Sequence, residues 1–266
     1  MELGLAGKRA LVTGSTSGIG EAVARMLAEE GAAVIVHGRN ADRAHRVADS
    51  ITTMGGRAEI VLGDISADEG ARHVASSALA AGPVDILVNN AGAYDYRSWD
   101  QAGPEDWSTS YQVNVISGVR LVKELVPAMR DRGWGRVVQI GAGLAIQPLA
   151  EQPHYNAAMA ARHNLAASLA RELASTGVTS NTVSPGPILV GSVQKILSVL
   201  ARDHSWGESP EEIETGAARD LFPNDVGRLG RPVEVASAVC YLCSQHAGYI
   251  SGSILSVDGG AIRSVH

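Results

Sequence analysis

Cysteine, phenylalanine and charge are all scarce in this 266-residue chain, which has two Cys, one Phe and 19% charged residues. No stretch of about 18 consecutive apolar residues occurs, so no membrane-spanning helix is expected. The start, Met1-Glu2-Leu3-Gly4-Leu5-Ala6-Gly7-Lys8-Arg9, lacks the long apolar core of a signal peptide, and a cytoplasmic protein is expected. No Lys/Arg cluster is dense enough to neutralise a row of phosphates, and the net charge is −6, which argues against nucleic-acid and membrane partners. The two cysteines, Cys240 and Cys243, stand at Cys-x-x-Cys spacing, but no second ligand pair accompanies them. A spacing of three on an apolar helix puts both thiols on one packed face, so buried core cysteines are expected and no metal site.

Apolar material is abundant, at 45%, and its distribution is informative. Short apolar runs alternate with helix-length segments, the pattern of βαβ units and a parallel sheet. The expected strands are 9–13, 33–37, 58–62, 85–88, 136–140, 179–183 and 253–257. Their apolar density suits strands covered by helices on both faces, giving an α/β, doubly wound domain with a seven-stranded parallel sheet. Expected helices include 20–30, 67–81 and 105–130. No repeat, low-complexity tract or linker divides residues 1–266, so a single domain is expected. The irregular stretch is 185–231, longer than a normal connection, and its 187–230 portion is expected to form a substrate lid. Within it, Ser209-Pro210-Glu211-Glu212 reads as a capped helix start, and the apolar spacing of residues 188–200 predicts another helix.

Thr13-Gly14-Ser15-Thr16-Ser17-Gly18-Ile19-Gly20 follows an expected strand and opens an expected helix. Glycines there let backbone approach a pyrophosphate, and a helix start offers unpaired N–H groups and a positive dipole end. This is a Rossmann-type dinucleotide site with Gly-x-x-x-Gly-x-Gly spacing. A carboxylate at the end of the second strand would favour NAD; here stand Arg39 and Asn40, so NADP(H) is expected over NAD(H).

Further motifs follow in order: Asp64-Ile65, Asn89-Asn90-Ala91-Gly92, Asn114, Tyr155, Pro185-Gly186-Pro187-Ile188 and Val257-Asp258-Gly259-Gly260. With the glycine turn they make seven in register. Over essentially its whole length the chain resembles the short-chain dehydrogenase/reductase family, its 3-oxoacyl-carrier-protein-reductase-like members in particular. The resemblance implies that Gly14, Ser15, Ser17, Gly18, Ile19 and Gly20 hold the cofactor with Arg39 and Asn40. It further implies that Asp64 and Ile65 meet the adenine, and that Asn90, Ala91 and Gly92 line the pocket under the ribose. Pro185, Gly186 and Ile188 would hold the carboxamide edge of the nicotinamide. The family usually has Thr two residues after Ile188; here stands Val190.

The catalytic positions depart further. Reducing a ketone requires a proton donor at the developing alkoxide, and free tyrosine, with a pKa of about 10, is a poor match for neutral pH. In the family a lysine four residues after the tyrosine lowers that pKa and holds the ribose, a relay runs through an asparagine matching Asn114, and a serine orients the carbonyl. This chain keeps Tyr155 and Asn114 but has Met159 and Ala142 at the lysine and serine positions. Both losses conserve shape: methionine is nearly the length of lysine, and alanine is serine without its hydroxyl. An engineered inactive variant is the reading they suggest, of an active reductase with Gly-Ser-Gly at 141–143 and Tyr-x-x-x-Lys at 155–159. Three alternatives stand beside it. A natural enzyme could use Tyr155 with other helpers, a non-redox relative could resemble halohydrin dehalogenases, or a catalytically dead NADP-binding protein could act as sensor or scaffold. The enoyl-reductase pattern, with lysine seven after tyrosine, fails because position 162 is Arg162, and His154 is expected at the pocket wall or the surface.

For substrate, Tyr94, Tyr96 and Trp99 directly follow Gly92. With residues 188–200, Val190 and Trp206 they suggest a largely apolar pocket near Ala142 and Tyr155, with Gln139 and Gln147 supplying polar contacts. A small-molecule aliphatic, alicyclic or aryl ketone, or the matching secondary alcohol, is expected. The resemblance implies a homotetramer pairing helices 105–130 and 156–175, with the tail 261–266 covering a neighbouring subunit.

Overall fold

The computed structural model describes residues 1–263. Seven strands form one parallel sheet in the order β3-β2-β1-β4-β5-β6-β7. They are β1 (Arg9–Val12), β2 (Ala33–Gly38), β3 (Arg57–Leu62), β4 (Ile86–Asn89), β5 (Gly135–Ile140), β6 (Val178–Pro185) and β7 (Ile254–Val257). Each expected strand is present, with ends displaced by two residues or fewer. Helix α1 (Gly18–Glu29) follows β1, α2 (Ala41–Thr53) follows β2, and α3 (Asp68–Leu79) follows β3.

Alternate side chains divide the core between the two faces of the sheet. Val12, Val34, Val36, Val88, Val138 and Ile140 pack on one side with Val23 and Leu27 of α1. Cys240 and Cys243 of α9 (Pro232–Cys243) join that side, both buried as expected. Burial pushes the Cys243 thiol up to about 12, which disfavours the thiolate that redox or metal chemistry would use. Leu11, Ile35, Leu87 and Val137 pack on the other side with α3 and with Leu121 and Leu125 of α5 (Ser117–Asp131). Burying each such side chain is worth about 1.5–3 kcal/mol, which explains the near-continuous apolar strands.

The expected helix over 105–130 is broken. It consists of α4 (Pro104–Tyr111), a wide π turn at Gln112–Ile116, and α5. The extra residue in that turn rotates Asn114 inward, where it is 1% exposed; such turns recur at functional sites. Helix α6 (Pro153–Glu172) carries Tyr155.

The 187–230 stretch holds α7 (Gly191–His204) and α8 (Pro210–Asp220), the latter with the expected Ser209/Glu212 capping box. Helix α7 starts three residues later than expected, because Ile188 pairs with Gly230 and the Leu189 N–H donates to the Gly230 carbonyl at 2.8 Å. This short ladder closes the base of the insertion. The insertion has its own small core of Leu197, Ala201, Trp206, Ala217, Ala218 and Leu229, separate from both sheet faces. Trp206 is therefore committed inside the insertion, its indole N–H donating to Asp220 at 2.7 Å, and does not line a substrate pocket. No described helix is long and apolar enough to cross a membrane. Half of the 261–266 tail, from Ser264 on, lies outside the described residues.

Candidate active site

In a parallel sheet every strand's carboxyl end lies along one edge, and β1 is where the order reverses, between β2 and β4. The segments singled out from sequence follow β1, β2, β3, β4, β5 and β6, so the fold gathers them at that edge.

The β1–α1 turn is pinned from two sides. The Ser15 N–H donates to the His37 carbonyl, the His37 N–H donates to Ser15 Oγ, both at 2.9 Å, and the Gly14 N–H donates to His37 Nδ1 at 3.2 Å. Burial pushes the His37 pKa down to about 4, which keeps Nδ1 free to accept. From the other side, Thr13 Oγ1 accepts the N–H groups of Asn90 and Ala91 at 2.9 Å, and the Asn90 amide donates to the Thr13 carbonyl at 2.8 Å. Gly14 has φ +64°, and a Cβ there would lie 3.0 Å from the Ala91 backbone. At Gly20 a Cβ would lie 2.4 Å from the Asn90 amide and 2.5 Å from the Gly14 carbonyl. Ser17 caps α1 without a side-chain bond, leaving the first helical N–H groups of Gly18 and Ile19 for a ligand. Val190, at the base of the insertion, packs over this turn, 3.4 Å from where a Gly18 Cβ would stand.

Several side chains expected to touch the cofactor are committed elsewhere. Ser15 is fully buried against β2, Asn40 caps α2 by accepting the Arg43 N–H at 2.9 Å, Asn90 braces the glycine turn, and Ile65 belongs to the core under α3. These positions offer a ligand backbone rather than side chain. Arg39 differs: its side chain is 79% exposed and meets Asp64 only loosely, at 3.7 Å. Hydrogen bonds from Ser66, and then the Arg39 charge, hold the Asp64 carboxyl below its usual range.

Tyr155 sits half-buried on α6. The Tyr94 ring lies 6.0 Å from it and Tyr96 lies 6.2 Å from Tyr94, so one expected aromatic flanks Tyr155 and a second packs behind it. Trp99 packs on Trp107 at 5.6 Å instead. Asn114 accepts the Ala93 N–H at 3.0 Å and donates to the Ala93 carbonyl at 2.9 Å, so its side chain holds the loop that presents Tyr94. His154 is neither at the surface nor free. It is 2% exposed, with Nε2 at 2.7 Å from Asp95 Oδ1, which ties the same loop to α6. Ala142 stands extended after β5 at the start of a short helical turn, and Gln147 accepts the Arg263 N–H at 3.1 Å. Gly186 packs under Asp258, whose Cα would lie 2.8 Å from a Cβ there, which joins the Pro185–Ile188 turn to the Val257–Gly260 motif. Met159, one turn from Tyr155, is 1% exposed and packed.

Arg162, which the sequence offered only as a mismatch to the enoyl-reductase pattern, has a place of its own in the site. It is 3% exposed, and its guanidinium donates to the Asn89 carbonyl at 2.5 Å, the Ala91 carbonyl at 3.3 Å and Gln139 Oε1 at 3.4 Å. Gln139 thus lies beneath it in the interior, not in a substrate pocket. The signal was available: an arginine seven residues after Tyr155 lies on the same helix face, in a segment otherwise rich in alanine. Burial pushes the Tyr155 phenol up, the Arg162 charge pulls it back, and Tyr94 and Tyr96 push it up again. Arg162 itself is lowered to about 10 by burial, with Tyr155 opposing. Among the described residues no group of three or more His, Cys, Asp or Glu is placed to hold a metal ion.

Comparison with known proteins agrees with this geometry. Residues 8–199 match the family described as short chain dehydrogenase. The chain is 39% identical to the uncharacterized oxidoreductase YvaG of Bacillus subtilis, covering 100% of both. It is 32% identical to 7alpha-hydroxysteroid dehydrogenase of Escherichia coli K12, covering 99% of this chain and 98% of that one. Among solved structures it is similar to L-sorbose reductase of Gluconobacter frateurii complexed with NADPH and L-sorbose, at 35% identity, full coverage of both chains and a TM-score of 0.93. With the seven-stranded parallel sheet, the glycine turn at the order reversal and Tyr155 on α6, these likenesses establish that the chain belongs to the short-chain dehydrogenase family of oxidoreductases.

Proposed function

We propose that the chain binds NADP(H) and interconverts a ketone and a secondary alcohol on an apolar small molecule. In this proposal Ala142 and Met159 leave it strongly impaired relative to a reductase with serine and lysine there. The observation that carries the reading is the position of Tyr155: half-buried on α6, with Tyr94 of the loop that follows β4 against its ring.

The residues present fit a dinucleotide. Gly14 and Gly20 let the turn pack tightly against the Asn90–Ala91 segment, which no Cβ would permit, and α1 begins without a side-chain cap. Those N–H groups would hold the pyrophosphate, and exposed Arg39 would take the 2′-phosphate. The similar L-sorbose reductase, described with NADPH, supports that preference. When bound, the reduced nicotinamide supplies hydride to the carbonyl carbon. Tyr155 supplies the proton: its O–H bond breaks, a bond forms to the substrate oxygen, and the electron pair stays on the phenolate. Ala142 gives the carbonyl no hydroxyl, and Met159 gives the phenolate no charge. A well-placed general acid contributes about 10² to 10⁴, and the impairment falls in that range. Tyr94, Tyr96 and the base of the 187–230 insertion, which forms the substrate lid in this reading, would surround the substrate, with Gln147 and Val190 at its margins.

We place the protein in the cytoplasm, as one domain, and as a homotetramer by family likeness. A second reading, an NADP-binding protein without turnover, draws on the close packing of Met159. NADPH oxidation with a panel of cyclic and aryl ketones separates the two. Ala142→Ser/Met159→Lys should gain strongly over the parent chain. No gain, with NADPH binding intact in both, would overturn the reductase reading.

A further inference from the structure

We infer that Arg162 is the positioning residue that stabilises the Tyr155 phenolate, reaching back along α6 to the space beside the phenol, so that the cation missing at Met159 comes from two turns away. This rests on the reading of Tyr155 as proton donor.

The first support is the burial of the charge. Taking a guanidinium out of water costs several kcal/mol unless something compensates. Arg162 has three hydrogen-bond acceptors but no carboxylate partner among the described residues. The other buried arginine, Arg136, is likewise held by carbonyls, those of Gly135, Gly177 and Ser244, so what sets Arg162 apart is the ionisable group that faces it. The ionisable group that favours its charge is Tyr155.

Geometry supplies the second. Seven residues at about 100° each return to within about 20° of the same direction, and helical side chains tilt toward the N-terminus. Arg162 therefore reaches back along the Tyr155 face. Its Nη1 lies 3.7 Å from where a Gly92 Cβ would stand, and Asn114 Oδ1 lies 2.8 Å from the same point. The cation thus sits at the Asn89–Gly92 turn beside Asn114, under the loop that carries Tyr94. A side chain at Gly92 would run into Asn114 Oδ1, while Arg162 Nη1 stands at ordinary contact distance from the same point.

The third is the neighbourhood. The titratable groups facing Tyr155 and Arg162 are Tyr94, Tyr96 and His163. His163 is pushed down to about 4 by burial and by Arg162, so it is neutral at ordinary pH and adds no competing charge. With methionine at 159, the cation on this face of α6 is Arg162.

The test is the ionisation of Tyr155, read as tyrosinate absorbance by difference against Tyr155→Phe in each background, in variants verified folded by circular dichroism. Arg162→Gln keeps an amide donor for the Asn89 carbonyl and removes the charge. Its Tyr155 midpoint should rise above the parent's, while Arg162→Lys and Arg162→Gln/Met159→Lys should titrate close to the parent. Ketone reduction should fall about 10-fold or more in Arg162→Gln and recover in the double variant. Equal midpoints in the parent and Arg162→Gln would overturn the proposal. Should Arg162→Gln fail to fold, the double variant is read instead. It is expected to fold and to match the parent midpoint, and its failure in either respect would mark Arg162 as merely structural. If the reductase reading alone is wrong, the midpoints still move but no variant turns over ketone.

Discussion

Met159→Lys is the substitution that most sharply exposes how the site is built. It reinstates the family's cation, yet it puts an ammonium three residues from the buried Arg162 guanidinium, at a position 1% exposed. Side chains at that spacing have Cβ atoms about 5–6 Å apart. Two like charges at about 6 Å, with an effective dielectric constant of about 20, repel by about 3 kcal/mol. That is about two pKa units on the new lysine, before burial lowers it further. The folded-state lysine pKa is then depressed below its unfolded value of about 10.4. The stability deficit is full at neutral pH and fades as pH rises through the folded pKa toward 10.4. Urea unfolding of parent and variant from pH 7 to 10 measures it. The variant should lose about 3 kcal/mol at pH 7 and regain most of it near pH 10. Adding Arg162→Gln should shrink the pH dependence to the part that burial of the lysine imposes by itself. A Met159→Lys chain as stable as the parent at pH 7, with Arg162 intact, would refute the argument that Arg162 holds its charge at that face.

Gly20→Ala drives a methyl into the Gly14 carbonyl and the Asn90 amide, and overpacking against backbone costs about 1–3 kcal/mol. Thermal unfolding should show that loss together with weakened NADPH binding by fluorescence titration. Arg39→Asp removes a charge-assisted contact worth about 1.5–3 kcal/mol, so NADPH affinity should fall at least about 10-fold while NADH affinity rises. His37, lowered to about 4, contributes stability that is complete above about pH 6.5 and is lost as pH falls through 4. The loss amounts to about 3 kcal/mol between those limits, and His37→Asn, whose Oδ1 can still accept the Gly14 N–H, should flatten that part of the profile.

Much of the fold was legible because parallel strands buried on both faces must be apolar throughout, and short apolar runs such as 33–37 mark them with little competition. The Ser209 capping box was legible for a different reason, since its chemistry is local. The π turn was not, because the one-residue shift that aims Asn114 inward leaves no trace in apolar spacing. The start of α7 was misplaced because Ile188 is held extended by Gly230, a contact between residues 42 positions apart. Trp206 and Gln139 were assigned to a pocket on residue type alone, and only packing places them in the insertion's core and beneath Arg162. Arg162 was readable as to position but not as to meaning. A helix face shows which residues align, whereas the absence of a carboxylate partner is a property of the folded surroundings.

The measurement that tests the central claim most directly is NADPH-dependent reduction of cyclic and aryl ketones by the parent chain, by Ala142→Ser/Met159→Lys, and by the latter with Tyr155→Phe. The account predicts slow turnover in the first, a rise of about 10² or more in the second, and loss of that gain in the third. A parent that turns over at ordinary rates, or a second chain that binds NADPH yet gains nothing, would contradict it.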